Sequence, residues 1–276
     1  DSGANLPATL PATIIEHFYA PAPAVPADSA ISYDQARAYE GEYLTTRRAY
    51  RGLESFTGRI VGRAIVRATP EGRLTVIDGG VKTLFNGTDR PGVFKAVDGP
   101  LTLVFDANGD RPSRFYAARG FSTYERVGFF RSASVLIWTA VLAGLASLAT
   151  VFGVFVRNRR EARQTPVQAR ASQMQVMQAV LWLISAGCAG VFAARASDET
   201  AVFFGWPSGW LLTGSACALV ASVLAVLTLG ALPMVWRGGR RVDSWTGLRK
   251  VAFTYTALLF VLLSVLLGLW GCLLYT

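Results

Sequence analysis

The sequence predicts a mixed fold, in which a small antiparallel β barrel or sandwich ectodomain precedes a bundle of four transmembrane helices. The helical part is predicted by residues 134–156, a run of 23 residues without a charge, and by three similar runs after it. A hydrocarbon core about 30 Å thick needs about 20 apolar residues in a helix. The β part is predicted by short segments between residues 33 and 130 in which apolar and polar side chains alternate.

Residues 1–32 read as the end of an upstream domain followed by a linker. Leu10, Ile14, Ile15, Phe18 and Tyr19 would form one apolar side of a short helix. The run PAPAVPADSA after it contains three prolines, which suit an extended Pro/Ala linker. The chain begins at an aspartate and has no signal-peptide pattern. We therefore expect a piece of a longer protein whose N-terminal part is missing.

Residues 33–130 are predicted to form the β domain. In one clear segment, Leu101, Leu103 and Phe105 alternate with polar or smaller residues, and Asn108-Gly109 after it is a hairpin signal. No segment is long enough for the crossovers that parallel strands need, so the sheet should be antiparallel and closed or nearly closed. We expect a short helix over 52–60 and about eight strands, near 42–48, 63–69, 73–78, 81–85, 92–97, 101–106, 112–118 and 122–127.

Residues 131–276 are predicted to form the membrane part. The spans should cover about 134–156, 176–194, 210–236 and 251–275. Their ends carry Trp210, Trp236, Trp270 and Tyr275, aromatic residues that suit the membrane interface. The lipid bilayer is therefore the first expected partner.

The distribution of charge predicts the orientation of the spans. Loop 157–175 contains five arginines against one acid, and loop 237–250 contains five basic residues against one acid. Loop 195–209 has one arginine against two acids. Because short cytoplasmic loops are rich in Lys and Arg, the first and third loops should be cytoplasmic. This predicts a bacterial-type inner (plasma) membrane protein, with the β domain, as a periplasmic domain, and the C-terminus on the outer side.

The net charge of +9 follows the same pattern and does not indicate a nucleic-acid partner. Its densest basic stretches lie in short loops beside spans, and no basic stripe of the kind that binds phosphate backbones is evident.

Motifs for catalysis, cofactors or metals are absent from the sequence, so we predict no catalytic residue, no cofactor and no metal. The single histidine, His17, lies on the N-terminal helix, and no phosphate-binding glycine loop occurs. Cys188, Cys217 and Cys272 all fall within predicted spans, where we interpret them as small buried hydrophobic residues. Asn86-Gly87-Thr88 is a formal glycosylation sequon, but we interpret Asn-Gly here as a turn.

Two groups of residues in the β domain could bind a ligand. Five aromatic residues could line a cavity, although we favour a filled core because small barrels are usually packed solid. Six arginines could bind anions or lipid head groups, although we favour a solvated face. The aromatic residues are Phe85, Phe94, Phe105, Phe115 and Tyr116; the arginines are Arg47, Arg48, Arg51, Arg59, Arg63 and Arg67.

The predicted spans contain no Asp, Glu, Lys or Arg, which disfavours a pump or an ion transporter. They do contain small residues at four-residue spacing, which allow close helix contacts and could also support a homo-oligomer. These are Ala143/Ser147, Ala186/Gly190, Gly214/Ala218/Ser222 and Ser264/Gly268/Cys272.

The order of elements resembles the C-terminal region of membrane-attached beta-lactamase-related serine hydrolases, relatives of class C beta-lactamases and penicillin-binding proteins. The matching residues are Asp1-Ser2-Gly3, the helix through His17-Phe18-Tyr19, and Tyr39-Glu40-Gly41-Glu42-Tyr43. The resemblance implies that the turn ends the last strand of a catalytic domain and that the helix packs on its sheet. The sequence contains no Ser-x-x-Lys and no Tyr-x-Asn, and Lys82-Thr83-Leu84 lacks the glycine of the third motif.

The first hypothesis is therefore a non-catalytic accessory and membrane-anchoring portion of an outward-facing serine hydrolase. Its second partner would be the upstream catalytic domain of the same protein. The alternative is a membrane-tethered β module that binds a lipid or a peptide. A transporter subunit is the third and least favoured hypothesis.

Single cysteines in a background without native cysteines test the orientation. In intact cells, cysteines in loops 157–175 and 237–250 should be shielded from an impermeant thiol reagent, because these basic loops should be cytoplasmic. Cysteines in loop 195–209 should react and serve as the control. Labelling of loop 157–175 from outside would contradict the predicted orientation.

Overall fold

A computed structural model confirms the predicted fold class: a closed antiparallel β barrel of eight strands, followed by four long apolar helices. It describes Leu10, Ile14 and Phe18, and residues 31–106, 111–117, 122–156, 164–195, 205–237 and 244–273. The chain divides into two compact units. One contains residues 1–48 and 58–128, and the other contains residues 49–57 and 129–276.

The barrel is an up-and-down meander in which each strand pairs antiparallel with the next. Its strands are β1 (Gly41–Thr45), β2 (Arg63–Ala68), β3 (Leu74–Asp78), β4 (Val81–Gly87), β5 (Val93–Ala96), β6 (Thr102–Phe105), β7 (Arg114–Ala117) and β8 (Thr123–Arg126). In the described part of this unit, one helix precedes β1, α1 (Tyr33–Arg37), and one follows it, α2 (Gly52–Val61). All eight predicted strands are present, but the first ends at Thr45 and not at residue 48.

Pairing of the first strand with the last closes the barrel. Tyr43 lies opposite Arg126 and Leu44 lies opposite Glu125 in this pairing. Closure gives the outer backbone groups of β1 and β8 a partner, so neither strand offers an unpaired edge to another chain.

The five-residue helix α1 was not predicted from the sequence, although it carries a recognisable start signal. Gln35 N donates to Ser32 Oγ, and Ser32 N donates to Gln35 Oε1 at 2.9 Å. This reciprocal capping box satisfies two backbone groups at the helix start. Helix α1 is too short for the apolar periodicity on which the prediction depended.

The predicted alternation in β6 is correct from Thr102 onward. Leu103 and Phe105 are buried, whereas Thr102 and Val104 are partly exposed. Leu101, which was expected on the buried face, is 44% exposed. Strand β6 begins at Thr102, one residue after the predicted start, so Leu101 lies before the strand.

The turn at Pro70-Glu71-Gly72 joins β2 and β3 and requires its glycine. Gly72 has a φ of +73°, and a Cβ at this position would overlap the carbonyl oxygen of Ile31. A larger residue would therefore suffer both backbone strain and a clash.

Among its described residues, the second unit contains a 3₁₀ turn (Phe129–Arg131) and four long helices. These are α3 (Ala133–Phe155), α4 (Pro166–Arg195), α5 (Gly209–Arg237) and α6 (Gly247–Leu269). Their most apolar windows have mean hydropathies of 2.2, 1.8, 2.3 and 2.3, so each is long and apolar enough to cross a membrane. The chain is therefore a multi-pass membrane protein.

The second span was predicted too short. Helix α4 begins at Pro166, ten residues before the predicted start at 176. Thr165 and Gln168 cap its start reciprocally, since each side chain bonds the backbone N–H of the other at 3.3 Å. The prediction of a loop over 166–175 is wrong, because the polar residues of this stretch mark a change in environment along a continuous helix.

The fourth span is displaced relative to its prediction. Helix α6 begins at Gly247 and ends at Leu269, and residues 270–273 form a turn. Gly271 at this turn has a φ of +78°, and a Cβ there would lie 3.0 Å from the carbonyl oxygen of Gly52. The ring of Phe56 lies edge-on to that of Trp270 at 6.2 Å, so residues 49–57 pack against this turn within the second unit.

Several predictions fall outside the described residues. They concern most of the N-terminal helix, the Pro/Ala linker, the Asn108-Gly109 turn and Tyr275. In the N-terminal segment, Leu10, Ile14 and Phe18 are helical and exposed.

Substitutions in β6 test the barrel core. Expressed alone, residues 33–130 should form a soluble, mainly β structure, and Leu103→Asp should unfold it. A carboxylate at this buried position has no partner, and its burial costs several kcal/mol of a domain stability of about 5–15 kcal/mol. Thr102→Asp is the matched control and should retain the fold. A helical circular dichroism spectrum for the parent segment would contradict the prediction.

Candidate functional site

The interior of the barrel is filled by aromatic rings. Neighbouring rings lie 5.5 Å apart (Phe94 and Phe105), 5.1 Å apart (Phe105 and Phe115) and 4.6 Å apart (Phe115 and Tyr124). Tyr39 and Tyr43 complete the cluster. Of the five aromatic residues predicted to face inward, Phe85, Phe94, Phe105 and Phe115 are buried. Tyr116 is 45% exposed, so its assignment was wrong: it follows Phe115 on the strand and points to the other face.

The Tyr-Glu-Gly-Glu-Tyr motif, residues 39–43, includes the first three residues of β1 and the two residues before it. Tyr43 Oη donates to the carbonyl oxygen of Tyr39 at 2.8 Å. Arg126 donates to the carbonyl oxygen of Glu40, and its guanidinium lies 5.8 Å from the centre of the Tyr43 ring. A Cβ on Gly41 would lie 3.1 Å from Arg126 Nε, so a larger residue would press on this arginine. Glu40, Gly41 and Tyr43 thus all contact or closely approach Arg126, which helps to join β1 to β8.

Two phenols of the barrel, the buried Tyr43 and the half-buried Tyr124, cannot act as bases at neutral pH. Burial raises the pKa of Tyr43 to about 12, although Arg126 opposes the shift. Burial also raises the pKa of Tyr124, and its hydrogen bond to Asp78 Oδ2 at 2.6 Å acts in the same direction. Both side chains therefore stay protonated at neutral pH and cannot take a proton from a serine.

The six arginines do not form one solvated face. Arg47, Arg51 and Arg67 are exposed and Arg63 is partly exposed. The side chain of Arg48 is only 11% exposed, and it lies 3.8 Å from Glu125 and donates to the carbonyl oxygen of Thr45. Arg59 is also buried, at 7% exposure. The prediction of a solvated face is wrong for Arg48 and Arg59, because the side chains of both are directed into the protein.

The Asn-Gly pair at 86–87 is not a turn. Asn86 and Gly87 lie in β4, opposite Lys95 and Phe94, and Asn86 is 1% exposed. The turn follows at residues 88–92, where Val93 N donates to the carbonyl oxygen of Arg90. Our interpretation was wrong because the strand continues through both residues.

The three cysteines are free thiols within the helical unit. Cys188 is buried, and Cys217 and Cys272 are half-buried. A Cβ on Gly214 would lie 3.1 Å from that of Cys188, so this cysteine packs on the α5 backbone. Within the described ranges, no group of three or more His, Cys, Asp or Glu side chains could hold a metal ion. His17 lies outside them.

Two of the predicted small-residue faces are used inside the bundle. Ala143, Ser147, Gly214, Ala218 and Ser222 are buried between helices. The pair Ala186/Gly190 lies exposed on α4. Gly268 is also exposed, between the half-buried Ser264 and Cys272. The predicted homo-oligomer therefore stays a prediction that rests on these outward faces.

The most distinctive polar feature of the bundle is a series of glutamines on α4, and sequence reasoning missed it. Gln168, Gln175 and Gln178 share one helix face by their spacing, and they are 0%, 7% and 0% exposed. Uncharged polar residues at such spacing within an apolar helix could have revealed it.

Gln168 joins α4 to the connection between α5 and α6. Its Nε2 donates to the carbonyl oxygen of Val235 at 3.3 Å and to Ser244 Oγ at 3.1 Å. Its Oε1 accepts from Trp245 N at 3.1 Å. The buried amide of Gln168 thus forms hydrogen bonds to other elements through both Nε2 and Oε1.

The other two glutamines each bind a helix backbone. Gln175 Nε2 donates to the carbonyl oxygen of Phe253 on α6 at 3.0 Å. Gln178 Nε2 donates to the carbonyl oxygen of Ala221 on α5 at 3.2 Å. Helix α4 is therefore hydrogen-bonded to both later helices.

The guanidinium group of Arg249 is held in place beside this series of glutamines. Trp245 Nε1 and Arg249 Nη2 both donate to Gln164 Oε1 at 3.1 Å. The guanidinium of Arg249 lies 4.2 Å from the centre of the Trp245 ring, a cation–π contact. These contacts fix the orientation of Arg249 at the start of α6.

No protein-family model matches the chain. No curated protein and no solved structure matches it either. Evidence for its function comes from its own residues.

Replacement of Gln168 tests the glutamine series. Gln168→Leu should lower the stability of the detergent-purified chain by about 1–3 kcal/mol, because buried partners lose their hydrogen bonds. Gln173→Leu is the matched control on the exposed side of α4 and should change stability by less than about 0.5 kcal/mol. The measurement is denaturant unfolding followed by circular dichroism, and equal effects of the two substitutions would contradict the assigned role.

Proposed function

We propose that the chain is the non-catalytic accessory and membrane-anchoring portion of an outward-facing beta-lactamase-related serine hydrolase. The observation that carries this proposal is the place of the Tyr39–Tyr43 motif. In the resemblance this motif starts a β domain that precedes several spans, and here it leads directly into β1 of a closed barrel.

The packing of both units supports an accessory role. The barrel interior is occupied by rings in mutual contact, and the helices are joined by hydrogen bonds from buried amides. Neither arrangement pairs a serine with a base, and the two barrel phenols are held in their protonated form.

The filled interior also favours this proposal over the binding-module hypothesis. A lipid or peptide inside the barrel would have to displace rings that lie 4.6–5.5 Å apart. No contact in the described barrel favours that hypothesis specifically.

The proposed location is a bacterial-type inner membrane, with the barrel and the C-terminus on the outer side. The basic residues before Pro166 and between α5 and α6 support a cytoplasmic position for these connections. The proposed catalytic partner is a domain upstream of Asp1 in the same polypeptide.

Activity-based labelling tests the proposal. The purified chain should not be acylated by a fluorophosphonate or a penicillin-type probe, because a nucleophilic serine needs an adjacent base. A penicillin-binding protein serves as the positive control. The parent protein with its upstream domain should be labelled at a Ser-x-x-Lys serine.

Stoichiometric labelling of one serine within residues 1–276 would overturn the non-catalytic role. A parent protein that lacks Ser-x-x-Lys and resists both probes would overturn the hydrolase assignment and leave the binding-module hypothesis.

A further inference from the structure

Two polar atoms on helix α4 are buried inside the bundle and make no hydrogen bond to any described residue. They are Oε1 of Gln178 and Nε1 of Trp182. Gln178 is 0% exposed and Trp182 is 5% exposed. A buried donor or acceptor without a partner costs free energy, and lipid tails offer neither donors nor acceptors. Both atoms therefore indicate a polar ligand inside the bundle.

The amide of Gln178 has only one possible orientation. Its Nε2 donates to the carbonyl oxygen of Ala221 on α5 at 3.2 Å. Because a carbonyl oxygen only accepts, a rotation that exchanged the two ends of the amide would bring two acceptors together. Oε1 is thus directed away from Ala221 and requires a donor from another source.

The indole of Trp182 lies toward helix α6. Its ring lies 6.3 Å from that of Phe260 and is tilted by 46° to it. An indole N–H can only donate, so it requires an acceptor. Trp245, which is also 5% exposed, has such a partner, since its Nε1 donates to Gln164 Oε1 at 3.1 Å. An equally buried indole in the same unit is therefore satisfied by the protein itself.

The spacing of the two unpaired atoms fits a single bridging molecule. Gln178 and Trp182 are four residues apart on α4, so they share a helix face and are offset by about 6 Å along the axis. A direct hydrogen bond between them would need a separation of about 2.9 Å, and they do not form one. Two consecutive hydrogen bonds through one oxygen atom span up to about 6 Å.

The surroundings restrict the ligand to a small, neutral molecule. The apolar runs at 176–194 and 210–236 contain no charged residue. Three buried alanines, Ala218, Ala221 and Ala225, follow one another at intervals of about one turn on α5 and belong to the same packed cluster as Trp182. Their side chains end at Cβ, which leaves room for a molecule of the size of water but favours nothing as large as a lipid.

We propose that the helical bundle binds one internal water molecule between Gln178 and Trp182. The water donates one O–H to Gln178 Oε1 and accepts from Trp182 Nε1, so a single molecule satisfies the unpaired acceptor and the unpaired donor. Its remaining O–H is available to a helix carbonyl oxygen, which has a second lone pair. Internal waters typically make two to four such hydrogen bonds.

Nuclear magnetic resonance of the full chain in detergent, with ¹⁵N-labelled tryptophan, tests the proposal. The measurement is the transfer of magnetisation from water to the indole N–H protons, whose signals are identified with Trp182→Phe and Trp245→Phe. The Trp182 proton should receive magnetisation from water, whereas the equally buried Trp245 proton should not, because Gln164 is its partner. A water-soluble paramagnetic agent should leave the Trp182 signal sharp, since the water is internal.

Two substitutions separate the proposed water from other sources of the signal. Gln178→Leu should abolish the transfer to Trp182, because the water loses its acceptor, and an unchanged Trp245 signal shows that this variant is folded. Ser222→Ala is the matched control. It removes the neighbouring hydroxyl on α5, which donates to the carbonyl oxygen of Ala218, and should leave the transfer to Trp182 intact.

No transfer from water to Trp182 in the unsubstituted chain would overturn the proposal, and this result does not depend on the folding of Gln178→Leu. Undiminished transfer in folded Gln178→Leu would show that Trp182 meets water without Gln178, and it would also overturn the proposal. Loss of the transfer in Ser222→Ala would assign the signal to a hydroxyl proton, with the same consequence.

Discussion

Much of this structure depends on one constraint, which is that polar groups away from water must find partners within the protein. In the helical unit, α4 carries three buried glutamines that lipid cannot satisfy, and their amides bind the backbone of α5 and α6 and of the segment between them. In the β unit, the outer backbone groups of β1 and β8 bind each other and close the barrel. The same requirement thus fixes the neighbours of a helix in one unit and of a strand in the other.

The sequence predicted the elements better than their limits or their contacts. Length and lack of charge are sufficient to identify a span, and alternation with turn residues identified all eight strands. The start of α4 was predicted ten residues too late. Polar residues at 166–175 indicate that the surroundings of the helix change there, but the helix itself continues and begins at the Thr165–Gln168 cap. The burial of Asn86, Arg48 and Arg59 could not be predicted, because it depends on residues distant in sequence that fold against them.

The partners of the buried glutamines were beyond sequence analysis for a related reason. Phe253 and Ala221 lie on later helices, and only the packing brings their carbonyl oxygens to Gln175 and Gln178. The Tyr39–Tyr43 motif, in contrast, could be recognised from sequence because its residues are consecutive. Its structural role, which is to place Gly41 and Tyr43 beside Arg126, could not be predicted, because it depends on the pairing of β1 with β8.

The glutamines of α4 also bear on how the protein is made. Every carbonyl and hydroxyl that their amides bind lies later in the chain, at Ala221, Val235, Ser244 and Phe253. A ribosome delivers α4 before any of these partners exists. Helix α4 is also the least apolar of the four. Until α5 and α6 have been synthesised, the buried amides of α4 therefore lack the partners that they have in the finished bundle.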